Sequence, residues 1–342
     1  MCRIFRTLIG VLPLTIAMLG CQPAQTTPTP AATAPPIATA TPLVTPSSVP
    51  PSATANPAIP ATQVMPTGVA HLPTWTIAEP ASPQPAMEIG VTKDVSYTSK
   101  ELLLYGNYTS KKLLDVYAPR TQGKWPVVVA FHGGDEFKSS MSDLAQAIAE
   151  RGAVVFAPTY YAHEPTIPLA VPIAQSAEDT ACAVRFARAH AVEYGGHADR
   201  VIVVGHSYGG TMGALLMLAG DEFHGDCLTQ EGSALPDALV GLDGVYDLIP
   251  LISDSVLKAE PAECLRNNPF TYVGRTPRRE NISFRLFVGS TYELRVQGQA
   301  FRDALQAVGY NVDLFQTPGA DHNAMVKPWP ATVDAIAALL RP

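Results

Sequence analysis

The chain carries no lysine, arginine, aspartate or glutamate between Arg6 and Glu79, although it has 342 residues and a net charge of −7. It also shows no spacing of histidines, cysteines or acidic residues that would hold a metal, no glycine loop that would cradle phosphates and no basic patch for nucleic acid. Because these motifs are missing, the sequence motifs do not predict a metalloenzyme, a nucleotide-binding protein or a nucleic-acid-binding protein. The acidic balance argues only weakly against polyanionic ligands.

The chain also lacks an apolar run long enough to span a bilayer comfortably. Residues 8–19 are apolar but are interrupted by Pro13, and two arginines precede them. We therefore expect residues 1–20 to be a signal peptide. The Leu-Gly-Cys ending resembles a bacterial lipobox, which would make Cys21 a lipidated N-terminus and anchor the protein to the outer face of the cell membrane. An ordinary signal peptide with an incidental cysteine is the alternative, and either way the domain is expected to be exported.

Residues 21–85 are dominated by proline, alanine and threonine. Such a segment buries too little apolar surface to offset its ordering entropy, and its prolines favour an extended polyproline conformation. We expect it to be a disordered tether between the lipid anchor and a folded domain at residues 86–342. That length suits a single α/β domain.

The predicted domain at residues 86–342 alternates apolar strands with helices whose apolar residues recur at helical spacing. This alternation predicts an α/β fold with a mostly parallel, twisted sheet and helices on both faces. A segment around residues 101–105 could form an antiparallel edge, and 221–275 is a cap or insert whose pattern is not resolved. The predicted strands are 113–118, 127–132, 153–158, 201–206, 238–244, 284–289 and 311–316.

The sequence Gly205-His206-Ser207-Tyr208-Gly209 follows one of these strands directly and precedes a predicted helix. Glycines remove Cβ atoms where a strand-to-helix turn is tightest, so a serine at its tip stands clear of the backbone. Ser207 is therefore the candidate nucleophile.

Two further segments supply the rest of a reaction centre. His322 follows a late strand and would take the serine proton, because imidazole titrates close to working pH. Upstream, Gly133 and Gly134 follow an apolar strand, and their N–H groups, with that of Tyr208, would form an oxyanion hole. Neighbouring His132 is expected to bond to the loop backbone, and the sequence leaves open whether His206 packs under the helix or lines the pocket.

Several ordered segments resemble the α/β-hydrolase carboxylesterases of the hormone-sensitive-lipase and bacterial feruloyl-esterase-like branches. The matching segments are residues 114–119, 132–134, 183–187, 193–196, 199–201, the serine turn, 244–248 and 319–322. The resemblance covers the chain from about residue 88 onward. It implies the α/β-hydrolase fold, no cofactor and a small-molecule ester as the partner.

The triad acid departs from the family pattern. The resemblance implies an aspartate on the loop after the penultimate strand, where this chain has Tyr292 followed by Glu293. Glutamate is an accepted triad acid, so Glu293 is the predicted one. Asp247 is the rival, although it also reads as a capping residue, and Asp321 is expected to form a turn. A second departure is Asp135, which replaces a third glycine and is expected to point away from the oxyanion.

Three cysteines lie in the predicted domain. Cys227 and Cys264 share the poorly patterned region after the serine turn, and an exported protein permits disulfides, so we predict that they pair. Cys182 lies in a predicted helix and reads as a small buried side chain.

These residues predict a serine esterase that cleaves small or medium acyl esters through an acyl-enzyme. No amphipathic lid of the kind found in true lipases is evident. A peptidase or amidase with the same triad is one alternative, and an inactive binding protein on the same fold, suggested by Tyr292 in the acid position, is another. The sequence leaves substrate identity and oligomeric state open.

Overall fold

A computed structural model describes residues 87–104, 108–162, 170–275 and 278–341. The predicted signal peptide, Cys21 and the whole predicted tether of residues 21–85 lie outside these residues. The described ranges contain eight strands: β1 (Ile89–Leu104), β2 (Tyr108–Pro119), β3 (Trp125–Phe131), β4 (Val154–Pro158), β5 (Gly196–His206), β6 (Ala238–Leu242), β7 (Ser283–Val288) and β8 (Asn311–Gln316).

All eight strands form one sheet in the order β1-β2-β4-β3-β5-β6-β7-β8. β1 and β2 pair antiparallel at one edge, β2 also runs antiparallel to β4, and every other pair is parallel. This is the α/β-hydrolase arrangement, and it confirms the predicted fold class. The predicted antiparallel edge segment is the end of β1, which begins earlier than the apolar pattern indicated.

Within the described residues, seven α-helices lie between and after the strands. They are α1 (Ser142–Ala149), α2 (Ala170–His190), α3 (Tyr208–Ala219), α4 (Asp254–Ala259), α5 (Pro261–Arg266), α6 (Tyr292–Ala307) and α7 (Pro330–Leu340). No helix in the described ranges is both long and apolar enough to cross a membrane. Residues 221–275, whose sequence pattern predicts few clear elements, contain β6 together with the short helices α4 and α5.

The sheet separates two hydrophobic cores, one on each face. β3 shows how the sequence divides between them: Val127 and Val129 pack with α2, α3 and α6, whereas Val128 and Ala130 pack with α1 and α7. Successive side chains of a strand point to opposite faces, so a continuous apolar run serves both cores. The C-terminal ends of the parallel strands therefore meet at one edge, where a catalytic site is expected.

The disulfide differs from the prediction. Cys182 of α2 is bonded to Cys227, with 4.9 Å between their Cα atoms, and Cys264 is a buried free thiol. The segment after α3 runs back beside β1, where the Leu228 N–H donates to the Tyr97 carbonyl at 3.0 Å. This return brings Cys227 under α2, whereas Cys264 lies in α5 within a separate small cluster around Ile252.

Candidate active site

Ser207 occupies a strained turn between β5 and α3. Its φ of 50° and ψ of −117° lie outside the regions that non-glycine residues ordinarily adopt. Glycines permit the tight turn: a Cβ on Gly205 would lie 2.2 Å from the Gly209 carbonyl oxygen, and one on Gly209 would lie 2.4 Å from the Phe131 carbonyl oxygen. The turn that the sequence pattern predicts is therefore present, with the serine at its tip.

His322 lies on the loop after β8 and reaches this serine. Its Nε2 atom is 3.0 Å from the Ser207 hydroxyl oxygen, within hydrogen-bonding distance. The loop is held to the sheet edge by the Ser290 N–H, which donates to the Ala320 carbonyl at 2.9 Å. The structure thus brings together the predicted nucleophile and the predicted base, 115 residues apart in the chain.

Asp243 supplies the carboxylate behind the imidazole. Its Oδ2 atom lies 3.3 Å from Nδ1 of His322, and its side chain is wholly buried. The other oxygen, Oδ1, accepts the Gly289 N–H at 2.7 Å. Asp243 follows the last residue of β6 with a φ of 48°, so the chain turns sharply there and directs the side chain across the strand ends.

Glu293 does not reach the histidine, and this prediction is corrected. It lies in the first turn of α6, exposed to solvent, and has no hydrogen bond to His322 among the described residues. A carboxylate in the first turn of a helix interacts favourably with the helix dipole, which accounts for its position. Asp243 was missed as the acid because the expected strand 238–244 included it. In the structure, β6 ends at Leu242, and Asp243 lies on the loop that follows.

The two other carboxylates considered for the triad have local structural roles. Asp247 accepts hydrogen bonds from the Ile249 N–H at 3.2 Å and from the Asn268 side chain at 3.1 Å. Asp321 accepts the Ala324 N–H at 2.8 Å and so forms the turn expected of it. Neither has a hydrogen bond to the imidazole among the described residues.

The loop of residues 132–136, here called the oxyanion loop, differs in one donor from the prediction. The Gly133 N–H donates to Glu136 Oε2 at 2.9 Å, so it already has a charged acceptor and is removed from the predicted hole. The Gly134 and Tyr208 N–H groups have no acceptor among the described residues. A Cβ on Gly134 would lie 3.8 Å from that of Tyr208, so the two residues are close neighbours.

Glu136 is therefore the carboxylate that shapes the oxyanion loop, while its neighbour Asp135 is exposed. Burial acts to raise the pKa of Glu136, but His206, the Gly133 N–H and the Ser140 hydroxyl together lower it to about 2. The Ser140 hydroxyl donates to Oε2 at 2.8 Å. Glu136 is thus ionised at neutral pH and holds the loop in a turned-back shape.

His206 connects the oxyanion loop to the loop after β8 that carries His322, here called the histidine loop. Its Nε2 atom is 2.9 Å from the His322 carbonyl oxygen, and its Nδ1 atom is 3.6 Å from Glu136 Oε1. The ring is almost fully buried and lies 4.7 Å from the His322 ring, centroid to centroid. The question left open by the sequence is thereby answered: His206 packs between the two loops.

His132 has the structural role expected of it. Its Nδ1 lies 2.7 Å from the Gly133 carbonyl, and its Nε2 accepts the Tyr160 N–H at 3.4 Å. Tyr160 also stacks on the ring, with centroids 4.3 Å apart. Burial is the main reason that the pKa of His132 falls to about 4, so the ring is neutral at pH 7 and is bonded on both nitrogens.

No metal centre is evident in this region. Across the described ranges, no group of three or more histidine, cysteine, aspartate or glutamate side chains is arranged to hold an ion. The chemistry available at the strand ends is a hydroxyl, an imidazole and a buried carboxylate in series, with two backbone N–H groups nearby. This arrangement can deprotonate the serine and stabilise a negative charge beside it.

Comparison with known proteins adds a family and several relatives. Residues 114–284, half of the chain, match the family model described as BD-FAE. Two curated plant proteins, each named a probable isoprenylcysteine alpha-carbonyl methylesterase ICMEL1, are similar: the Oryza sativa protein is 28% identical over 64% of this chain and 56% of its own, and the Arabidopsis thaliana protein is 26% identical over 64% and 50%. The chain thus spans about half the length of these relatives.

Solved structures show the same fold at low sequence identity. A truncated carbohydrate esterase from gut microbiota has a TM-score of 0.56 at 16% identity, covering 74% of this chain and 96% of that one. The butyrate-bound esterase Est2 from the Planctomycetes species Thermogutta terrifontis has a TM-score of 0.56 at 19% identity, covering 75% and 94%. The described part of this chain therefore folds as these esterases do.

Proposed function

Because the chain belongs to the BD-FAE family of α/β-hydrolase esterases, we propose that it hydrolyses carboxylic esters through a covalent acyl intermediate on Ser207. The observation that carries this proposal is the series of contacts from the Ser207 hydroxyl to His322 Nε2 at 3.0 Å and from His322 Nδ1 to Asp243 at 3.3 Å. His322 is the general base, and Asp243 orients its ring.

The reaction proceeds in two halves. His322 Nε2 removes the hydroxyl proton as the Ser207 oxygen attacks the ester carbonyl, and the oxyanion receives hydrogen bonds from the Gly134 and Tyr208 N–H groups. The intermediate collapses, the bond to the alcohol breaks, and the proton on Nε2 passes to the departing alcohol oxygen. Water then attacks the acyl-serine with the same base, which releases the acid and restores the serine.

Asp243 favours the tautomer that this reaction needs. A carboxylate opposite Nδ1 stabilises a proton there, which leaves Nε2 with the lone pair that accepts the serine proton. Its second oxygen is bonded to the Gly289 N–H, so the side chain is held in place. The alternative of an inactive binding protein rested on Tyr292 in the acid position. With Asp243 opposite His322, that argument no longer applies.

The substrates we propose are esters of small or medium acyl groups. The plant relatives are named as methylesterases and Est2 was solved with butyrate bound, which supports testing acetyl, butyryl and methyl esters first. Amide hydrolysis uses the same groups, and it is distinguished by the ability to protonate an amine leaving group. A panel of nitrophenyl esters and matched aminoacyl anilides separates the two activities.

The decisive test compares the purified full-length chain with its Ser207→Ala variant on nitrophenyl acetate and butyrate. Loss of a triad serine lowers turnover by on the order of 10⁶-fold. The exposed Ser290 provides the matched control, and Ser290→Ala should retain the parent rate. Labelling by a fluorophosphonate probe should also disappear only in Ser207→Ala, and equal hydrolysis by the parent and Ser207→Ala would refute the proposal.

We also propose that the domain is exported and anchored through a lipid on Cys21, as the first 20 residues indicate. In a bacterial host, labelled palmitate should enter the parent protein and the Cys2→Ser variant but not Cys21→Ser. Cys2 is the matched control because it also lies near the N-terminus but outside the Leu-Gly-Cys sequence. A parent protein that takes up no label would contradict the lipid anchor.

A further inference from the structure

A second concave site lies at the opposite edge of the sheet from Ser207. It has a volume of about 590 Å³, lies where β7 and β8 begin, and includes Arg200 of β5 in its lining. The catalytic groups lie at the C-terminal ends of the parallel strands, so the two sites share no lining residue. We call this site the arginine pocket, and its charged lining residues are Arg200, Arg278, Arg279, Arg285 and Asp313.

The charge of the arginine pocket is opposite to that of the chain. Four guanidinium groups and one carboxylate line it, whereas the whole chain carries a net charge of −7. Outside the lining, Asp237 lies 3.7 Å from Arg279 and is shared with Arg188 at 3.0 Å. The lining residues themselves therefore carry a positive excess, because one carboxylate stands against four guanidinium groups.

Backbone carbonyls hold the guanidinium groups in place. Arg278 donates to the Gly309 carbonyl at 2.5 Å, and Arg279 donates to the Met217 and Pro236 carbonyls at 3.1 and 2.7 Å. A carbonyl fixes the orientation of a guanidinium without cancelling its charge. The arginines are therefore preorganised, and each has five N–H donors of which these contacts use only some.

Two further features of the arginine pocket favour the binding of an anion. Burial lowers the pKa of Arg279 and of Arg285, which means that the folded chain bears a desolvation penalty for these charges. The Ser283 hydroxyl, on a residue of the pocket wall, is buried without a hydrogen-bond partner among the described residues. An acceptor-rich anion would relieve both penalties.

We propose that the arginine pocket binds a phosphate group, with the guanidinium of Arg278 as one of its donors. The fork of a guanidinium group matches two oxygens of a phosphate, and the negative charge of phosphate offsets part of the positive excess that one lining carboxylate leaves. Asp313 disfavours a second anionic group in the same pocket. The ligand is thus a compound with one phosphate, either free or as the diester of a lipid headgroup.

The test is calorimetric titration of the full-length chain at constant ionic strength, with inorganic phosphate against chloride. Saturable binding at one site is expected. Arg278 is exposed, so Arg278→Ala leaves the core intact and should weaken phosphate binding by about tenfold or more. Arg278→Lys keeps the charge but loses the fork, so it should fall between the parent and Arg278→Ala.

Arg275 is the matched control, because it is exposed, lies three residues away and does not line the pocket. Arg275→Ala should bind phosphate within about twofold of the parent, since long-range charge effects are screened by salt. Titration with glycerophosphoglycerol, a soluble headgroup diester, distinguishes the two sources: tighter binding of the diester indicates a lipid headgroup, and tighter binding of inorganic phosphate indicates a free phosphate. No saturable binding, or equal weakening by Arg275→Ala and Arg278→Ala, would overturn the proposal.

Discussion

The Asp243 carboxylate faces the Nδ1 atom of His322 at 3.3 Å, although 79 residues separate them in the chain. Asp243 is wholly buried, so we expect the loss of its charge to act mainly on the imidazole ring of His322. We expect Asp243→Asn to lower kcat by about 10³- to 10⁴-fold, because an amide at Nδ1 favours the wrong tautomer. Steady-state hydrolysis of nitrophenyl butyrate measures the effect.

The matched control for that change is Glu293→Gln, which removes the carboxylate first predicted for the same role. Its exposed position on α6 leads us to expect a rate within about twofold of the parent. A large loss in Glu293→Gln together with a small loss in Asp243→Asn would reverse the assignment of the acid.

The Glu136 contact to the Gly133 N–H predicts a positioning role for this carboxylate. Glu136→Ala should lower kcat by about tenfold or more with a smaller effect on KM, because a displaced oxyanion loop weakens transition-state binding. Glu136→Gln keeps an acceptor oxygen and should recover part of the rate. The control is Asp135→Asn at the adjacent exposed carboxylate, and an equal loss there would show that charge alone is responsible.

The contact between His206 and the histidine loop predicts an effect on activity that can be separated from an effect on folding. His206→Ala removes the donor to the His322 carbonyl and should lower kcat/KM by about tenfold, because the base is then less well positioned. His206→Gln can place an amide N–H in a similar position and should retain more activity. The pH-rate profile is the informative readout: a purely structural role would reduce the amount of folded enzyme without moving the profile.

The disulfide between Cys182 and Cys227 predicts a specific loss of stability. Its 45-residue separation corresponds to a stabilisation of about 2–4 kcal/mol when the unfolded chain is constrained. Cys227→Ser should lose this free energy of unfolding in urea, while the parent treated with reductant should show a similar loss. Peptide mapping under non-reducing conditions checks the pairing, and a peptide joining Cys227 to Cys264 would contradict it.

His132 predicts an acid-sensitive component of stability. Its folded-state pKa of about 4 lies below the unfolded value of 6.5, so the unfolded chain binds the proton first as pH falls. The contribution is therefore complete above pH 6.5 and is lost toward pH 4, by about 3 kcal/mol in all. His132→Asn, although less stable overall, should show a flatter dependence of unfolding free energy on pH across this window.

The sequence could identify Ser207 and His322 because each has a local signature. The glycines around the serine reflect close backbone approach within the turn itself, and the histidine follows a strand whose pattern is clear. The fold class was also predictable, because strands buried on both faces give continuous apolar runs that alternate with helices. Such signals depend on neighbouring residues and survive without knowledge of the tertiary structure.

The acid and the disulfide could not be identified in the same way. Asp243 depends on where β6 ends, and a difference of two residues decides whether a carboxylate is inside a strand or at its edge. The partner of Cys227 depends on the return of the chain beside β1, which no periodicity encodes. The Gly133 contact to Glu136 likewise depends on a loop conformation and not on a pattern.

The covalent ring closed by the Cys182–Cys227 disulfide contains the proposed nucleophile but neither of its two partners. It encloses β5, Ser207 and α3, whereas Asp243 and His322 join from chain beyond it. A single backbone cleavage after Asp243 and before His322 would leave the hydroxyl inside the closed ring while cutting its covalent connection to the base. After such proteolysis, only the non-covalent pairing of the sheet would keep the imidazole beside the serine.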